Sequence, residues 1–140
     1  MIGQRIAGEA ETWIGTPFHW QGRVKAGCDC KGLVAGVAIA CGRDEGLSVQ
    51  ALAGDYGEKV DSDRLVRGLA SLFRRVDDMQ AGDVLLLKVG GKPQHLAIYA
   101  PKGPSGGLRV IEAMHKGPMQ VRPYRRRADE VHSVWRWRDG

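Results

Sequence analysis

A thiol sits where the chain passes from a glycine-rich loop into an apolar run with helical spacing. In the stretch GCDCKGLVAG, residues 27–36, Cys30 precedes Leu33, Val34, Val37, Ala38 and Cys41. A cysteine at a helix N-terminus faces unpaired backbone N–H groups and the positive end of the helix dipole, both of which favour the thiolate. The same N–H groups can hold an oxyanion formed by attack on a carbonyl. Free cysteine also serves as a small buried hydrophobe, so chemistry at Cys30 requires partners. A nucleophilic cysteine needs a base within reach, and that base should be oriented by a third polar group. His95, opening the run HLAIY after a loop, is the best base, because a side chain there can project from a sheet edge toward a helix N-terminus. Glu112, in RVIEAMH, lies on the strand expected beside it and can fix the imidazole tautomer and stabilise the imidazolium. His115 is close enough in sequence to be the alternative third member, while His19 and His132 pair with no otherwise suggestive position.

The elements that must position these residues follow from periodicity. Ile2, Ile6, Ala10, Trp13 and Ile14 repeat at helical spacing over 2–14, and Gly15-Thr16-Pro17 stops that helix. Residues 18–27 form an extended segment and a loop, and Asp29 stands at the N-cap of the second helix, where its carboxylate can accept from an orphan N–H. A short helical piece is expected near 47–53, and a third helix over 62–74 with Leu65, Val66, Leu69, Leu72 and Phe73 on one face. The period then changes. Short apolar runs follow at 84–89, 95–100, 108–113, 120–124 and 131–137, with hairpin connections expected at Gly90-Gly91 and over 103–107. Helices first and an antiparallel meander sheet afterwards make an α+β domain, with the N-terminal helices packed on the sheet. No repeat or linker divides residues 1–140, so a single domain is expected.

Composition narrows the function classes. The chain of 140 residues is 43% hydrophobic and 26% charged, a soluble globular balance. Its N-terminal segment carries acidic residues and no continuous apolar block, so it reads as neither a secretory signal nor a transit peptide, and no run is long enough to span a bilayer. Such a protein is expected to work in the cytoplasm where it is made, or to leave by lysis or within a larger particle. Cys28, Cys30 and Cys41, odd in number and close in sequence, do not suggest a disulfide framework. Zinc would need two ligands beyond Cys28 and Cys30, His19 is the only nearby candidate, and paired C-x-x-C spacing is absent; no metal or organic cofactor is called for. The net charge is +5, concentrated at Arg122, Arg125, Arg126 and Arg127, with Arg136 and Arg138 following. Nothing matches a nucleic-acid-binding motif, so this basic run is expected to be a solvated face or an aid toward an acidic polymer.

An ordered set of motifs then emerges: G-x-D-C-K-G-L-V over 27–34, A-G-D-V over 81–84, H-L-A-I-Y over 95–99 and V-I-E-A over 110–113, preceded by T-P-F-H-W over 16–20. Together they resemble the NlpC/P60 family of cell-wall peptidases, and more narrowly the compact branch carried by phage tails and gene transfer agents. The resemblance implies a papain-like fold, a triad at Cys30, His95 and Glu112, and Asp29, Phe18 and Trp20 as substrate-binding residues. It also implies a peptidoglycan stem peptide as substrate, cut between D-glutamate, through its γ-carboxyl, and the following diamino acid, with proteins of a phage-like tail particle as partners. Two positions depart from the family pattern. Phe18 stands where a tyrosine is usual, removing a hydroxyl, and the third triad position is more often His, Asn or Gln than Glu. A tail-tip adaptor without chemistry, or a thiol amidase or acyltransferase on the same scaffold, is the alternative.

Overall fold

The computed structural model describes residues 2–50, 62–103 and 106–138. Helix α1 spans Ile2–Glu11 and buries Ile6 and Ala10; the chain then turns, so the expected helix over 2–14 ends early. Trp13 is nevertheless buried, its Nε1 donating to Glu9 Oε2 at 2.8 Å. A small hairpin of β1 (Arg23–Val24) and β2 (Gly27–Cys28) leads into α2 (Cys30–Ala40), the central helix, which is buried on every side from Cys30 to Ala38. Its glycines permit that burial. A Cβ at Gly36 would lie 2.3 Å from Trp13 Cη2 and 2.4 Å from Arg23 O, and one at Gly32 would lie 1.6 Å from Gly22 O. Bare helix backbone thus receives the loop that precedes Cys30.

Helix α3 spans Gly46–Gln50, starting one residue before the helical piece expected at 47–53, whose residues 51–53 lie outside the described residues. Helix α4 (Ser62–Leu72) buries Leu65 and Leu69. Phe73, expected on that helix, instead opens strand β3 (Phe73–Val76). Its strand partner is distant in sequence: it pairs with Trp137, and the two rings lie 4.3 Å apart.

Five further strands follow: β4 (Val84–Val89), β5 (Lys92–Tyr99), β6 (Leu108–Ala113), β7 (Val121–Arg126) and, after a 3₁₀ turn at Ala128–Glu130, β8 (Val131–Trp137). They form one antiparallel sheet in the order β3-β8-β4-β5-β6-β7. Strands β4 to β7 run as the expected meander, and β8 returns across the sheet to lie between β3 and β4. Gly90 and Gly91, at φ 59° and 81°, make the tight β4–β5 turn that few other residues would accept. Alternation along the strands sorts side chains to two faces. Leu86, Leu96, Ile98, Ile111 and Ala113 join Leu33, Val37 and Ile6 in the main core, and Leu85, Leu87, Ala97, Val110 and Val134 form a smaller cluster.

Two irregularities prepare the site. The β4–β5 register shifts between Leu87 and Lys88, and the β5–β6 ladder consists of Ile98↔Ile111 and Tyr99↔Val110. Beyond those pairs the strands part, and α2 packs against both.

Candidate active site

Cys30 is the first residue of α2 and is 8% exposed. Asp29, in extended conformation, caps the helix as its position predicted. Its Oδ1 accepts from Gly32 N at 2.7 Å and its Oδ2 from Gln21 N at 2.7 Å. Asp29 is wholly buried, so its carboxylate ties the preceding loop to the helix, holding Gln21 at φ 61°. The first N–H groups of a helix lack helical acceptors; Asp29 takes that of Gly32 and leaves the N–H of Cys30 beside the sulfur.

His95 stands in the middle of β5 rather than at its start, because the strand begins at Lys92. Since the β5–β6 ladder has ended by this point, its imidazole occupies the gap. Nε2–H donates to Glu112 Oε1 at 3.2 Å, which leaves Nδ1 for the Cys30 thiol, its hydrogen-bond neighbour on the other side. The Leu96 N–H also donates to the Cys30 sulfur. Burial alone would push the Cys30 thiol up, but the His95 imidazole, the Leu96 amide and the Lys31 charge reverse this, and its pKa is lowered. Burial would likewise pull His95 down; the Cys30 thiolate and the Glu112 carboxylate outweigh it and push the imidazolium up to about 10. A thiolate–imidazolium pair follows. Cys28, two residues away, shows the opposite: burial, then the charges of Asp29 and Cys30, push its thiol up to about 12.

Glu112 is 1% exposed, and a lone carboxylate at that depth would be protonated. Burial raises its pKa, yet hydrogen bonds from His95 and Arg126 bring it below the ordinary value. Arg126 donates from Nε to Oε2 at 3.0 Å, bonds Oε1 through Nη2, reaches Glu130 Oε2 through Nη1 at 2.9 Å, and lies over the Tyr124 ring. This corrects the reading of the arginine run as a solvated face, since one of its members is the counter-ion of the buried carboxylate. Composition carried no sign of it. The β6–β7 hairpin register did: Leu108↔Arg126 and Glu112↔Arg122 place Glu112 and Arg126 on one face by alternation.

Of the two residues open as the third member, Glu112 bonds the imidazole. His115 lies beside Phe18, ring centroids 5.9 Å apart, and Phe18 meets Trp20 edge-on at 5.4 Å. Trp20 is 53% exposed, so this aromatic group offers an open surface. His19 is also exposed, its Nδ1 donating to Trp20 O at 3.0 Å, and among the described residues no three His, Cys, Asp or Glu side chains gather as a metal site. Beyond His95 and Glu112 runs a shallow cleft bordered by Lys88, Met114, His115, Lys116 and Arg126.

Solved structures share this fold. The NlpC/P60 domain of the peptidoglycan hydrolase SagA is 25% identical with a TM-score of 0.57, the match covering 95% of this chain and 97% of that one. NlpC2 from Trichomonas vaginalis is 18% identical with a TM-score of 0.63, covering 97% of this chain and 47% of that one. The peptidoglycan hydrolase RipB from Mycobacterium tuberculosis is 21% identical with a TM-score of 0.59, covering 96% and 64%. No curated protein matches the sequence. A family model for NlpC/P60 matches residues 15–136, which hold α2, α3, α4 and nearly the whole sheet but not α1, and the chain belongs to the NlpC/P60 family.

Proposed function

We propose that this chain is a cysteine peptidase that hydrolyses the stem peptide of peptidoglycan, between the γ-carboxyl of D-glutamate and the following diamino acid. The observation that carries the reading is the buried relay Cys30–His95–Glu112–Arg126, which lowers the thiol at a helix N-terminus while raising the imidazole beside it. Membership of a family that includes peptidoglycan hydrolases supports the substrate class.

The geometry suits acyl transfer. The Cys30 thiolate attacks the amide carbon, and the carbonyl oxygen becomes an oxyanion beside the Cys30 N–H; losing one such donor costs about 10²–10³ in rate. His95 gives its proton to the leaving nitrogen as the C–N bond breaks and the thioester forms. Glu112 holds the ring and balances its charge. Water then gives a proton to His95 and attacks the thioester, releasing the carboxylate product and the thiolate. Phe18 and Trp20 offer the surface on which the peptide rests, and Asp29 acts by holding the loop that carries them.

The setting we propose is a phage tail or gene transfer agent, the protein being made in the cytoplasm and carried to the target wall; its resemblance to that compact branch supports this. Co-sedimentation with purified particles tests the setting. Mass spectrometry of peptidoglycan fragments tests the reaction: products split at the γ-D-glutamyl bond are expected, and none with Cys30→Ala. Cleavage that survives in that variant refutes the mechanism, and intact fragments with the wild-type protein favour the adaptor.

A further inference from the structure

Two lysines beside the relay have no counter-charge. Lys88 follows the register shift of β4, Lys116 lies in the β6–β7 connection, and both are exposed on the cleft that His95 and Glu112 border. The charges nearer the centre cancel: Cys30 against His95, Glu112 against Arg126, with Glu130 on the far side of that guanidinium. Among the described residues neither lysine forms an ion pair. The cleft therefore carries a net positive potential directed at whatever occupies it.

The occupant follows from the direction of proton transfer. His95 protonates the departing amine, so the leaving half of the substrate must lie against the imidazole, and the cleft begins there. We infer that Lys88 and Lys116 form a subsite for a carboxylate on the residue that follows the scissile bond. The enzyme then prefers stem peptides whose side-chain carboxylate at that residue is free over those in which it is amidated. This rests on the peptidase reading above and adds which form of the substrate it takes.

The test uses two synthetic stem peptides that differ only by carboxylate or carboxamide at that side chain. Exposed ion pairs of this kind contribute up to about fivefold each. Wild-type protein should therefore show a higher kcat/KM for the carboxylate peptide, by about two- to thirtyfold for the two lysines together, and the preference should shrink as salt is raised. Lys88→Gln with Lys116→Gln should abolish the preference, bringing kcat/KM for the carboxylate peptide down to that for the carboxamide peptide. Equal cleavage of both peptides by wild type, or a preference that survives the double substitution, overturns the subsite. Titration of both peptides into the Cys30→Ala variant, followed by NMR, reads the subsite without turnover. Tighter binding of the carboxylate peptide there, with no cleavage by wild type, retires the peptidase and keeps the subsite; equal binding retires the subsite alone.

Discussion

Replacing Arg126 by methionine should disable a thiol that it does not touch. Glu112, 1% exposed, would keep one partner, the His95 Nε2–H at 3.2 Å, and lose both bonds from the guanidinium. Removing one member of a buried ion pair typically costs about 3–5 kcal/mol, because the other charge is left uncompensated. The retained bond puts Arg126→Met near the lower end, about 3 kcal/mol. Glu112 can escape part of that cost by taking up a proton. It then no longer balances the imidazolium, His95 becomes less basic, and the Cys30 thiol keeps its proton to higher pH. If about 1.4 kcal/mol of the cost falls on this equilibrium, the thiol moves up by about one pKa unit. The assay is the pH dependence of Cys30 alkylation, resolved from Cys28 and Cys41 by peptide mass spectrometry. The midpoint should move to higher pH in Arg126→Met, and stem-peptide cleavage at pH below the wild-type midpoint should fall about tenfold. Glu112→Gln added to Arg126→Met should recover stability, since it removes the unpaired charge. A midpoint that moves to lower pH would mean that Glu112 stays ionised and holds His95 more tightly without the arginine; that result refutes the reasoning, as does a double variant no more stable than the single one.

Three further outcomes follow from the same geometry. The pair should set a pH window for stability. Cys30, lowered below 9.0, contributes stability that is present above 9.0 and lost as pH falls through its folded value, and His95, raised to about 10 from 6.5, contributes stability that is present below 6.5 and lost as pH rises through about 10. Summed, the two trends oppose each other just below 9.0, and above 9.0 only the loss at His95 remains, so the melting difference between wild type and Cys30→Ser should shrink as pH rises from 9.0 through about 10. Asp29→Ala should cost about 2 kcal/mol in denaturant unfolding, having orphaned the N–H groups of Gln21 and Gly32, whereas a cost under about 0.5 kcal/mol would show that water replaces the carboxylate. Gly32→Ala should lower stability by at least about 3 kcal/mol, because its methyl would stand 1.6 Å from Gly22 O, backbone that Asp29 N–H also binds; an unchanged melting temperature contradicts this close approach.

Local chemistry was readable in the residues; long-range pairing was not. Asp29 before an apolar helical run is a capping signal, and the structure shows the cap. The amphipathic period of α1 was legible because it buries one face, α2 and the five later strands because their apolar runs are bounded by turn residues, and the α+β arrangement followed from their order. Phe73 misled because it continues the Leu65-Leu69-Leu72 spacing without a glycine or proline to mark the stop; what ends α4 is Trp137, far along the chain. The return of β8 between β3 and β4 escaped for the same reason. Arg126 escaped because a run of arginines looks the same whether its members face water or a buried carboxylate. The register of β6 against β7 sets Arg122 and Arg126 on the face of Glu112 and Arg125 on the other, and the side-chain bonds single out Arg126.

The position of β7 has a dynamic consequence. It is the outermost strand of the sheet, held on its outer side at Val121 by backbone bonds to Gly15 and Thr16, and it carries the guanidinium that keeps Glu112 charged. Edge strands are among the first segments to open in native-state fluctuations. An opening of β7 would withdraw Arg126 from Glu112 and, through His95, raise the Cys30 thiol while α2 stays in place. Amide exchange along Val121–Arg126 and loss of Cys30 reactivity should therefore report one and the same opening event.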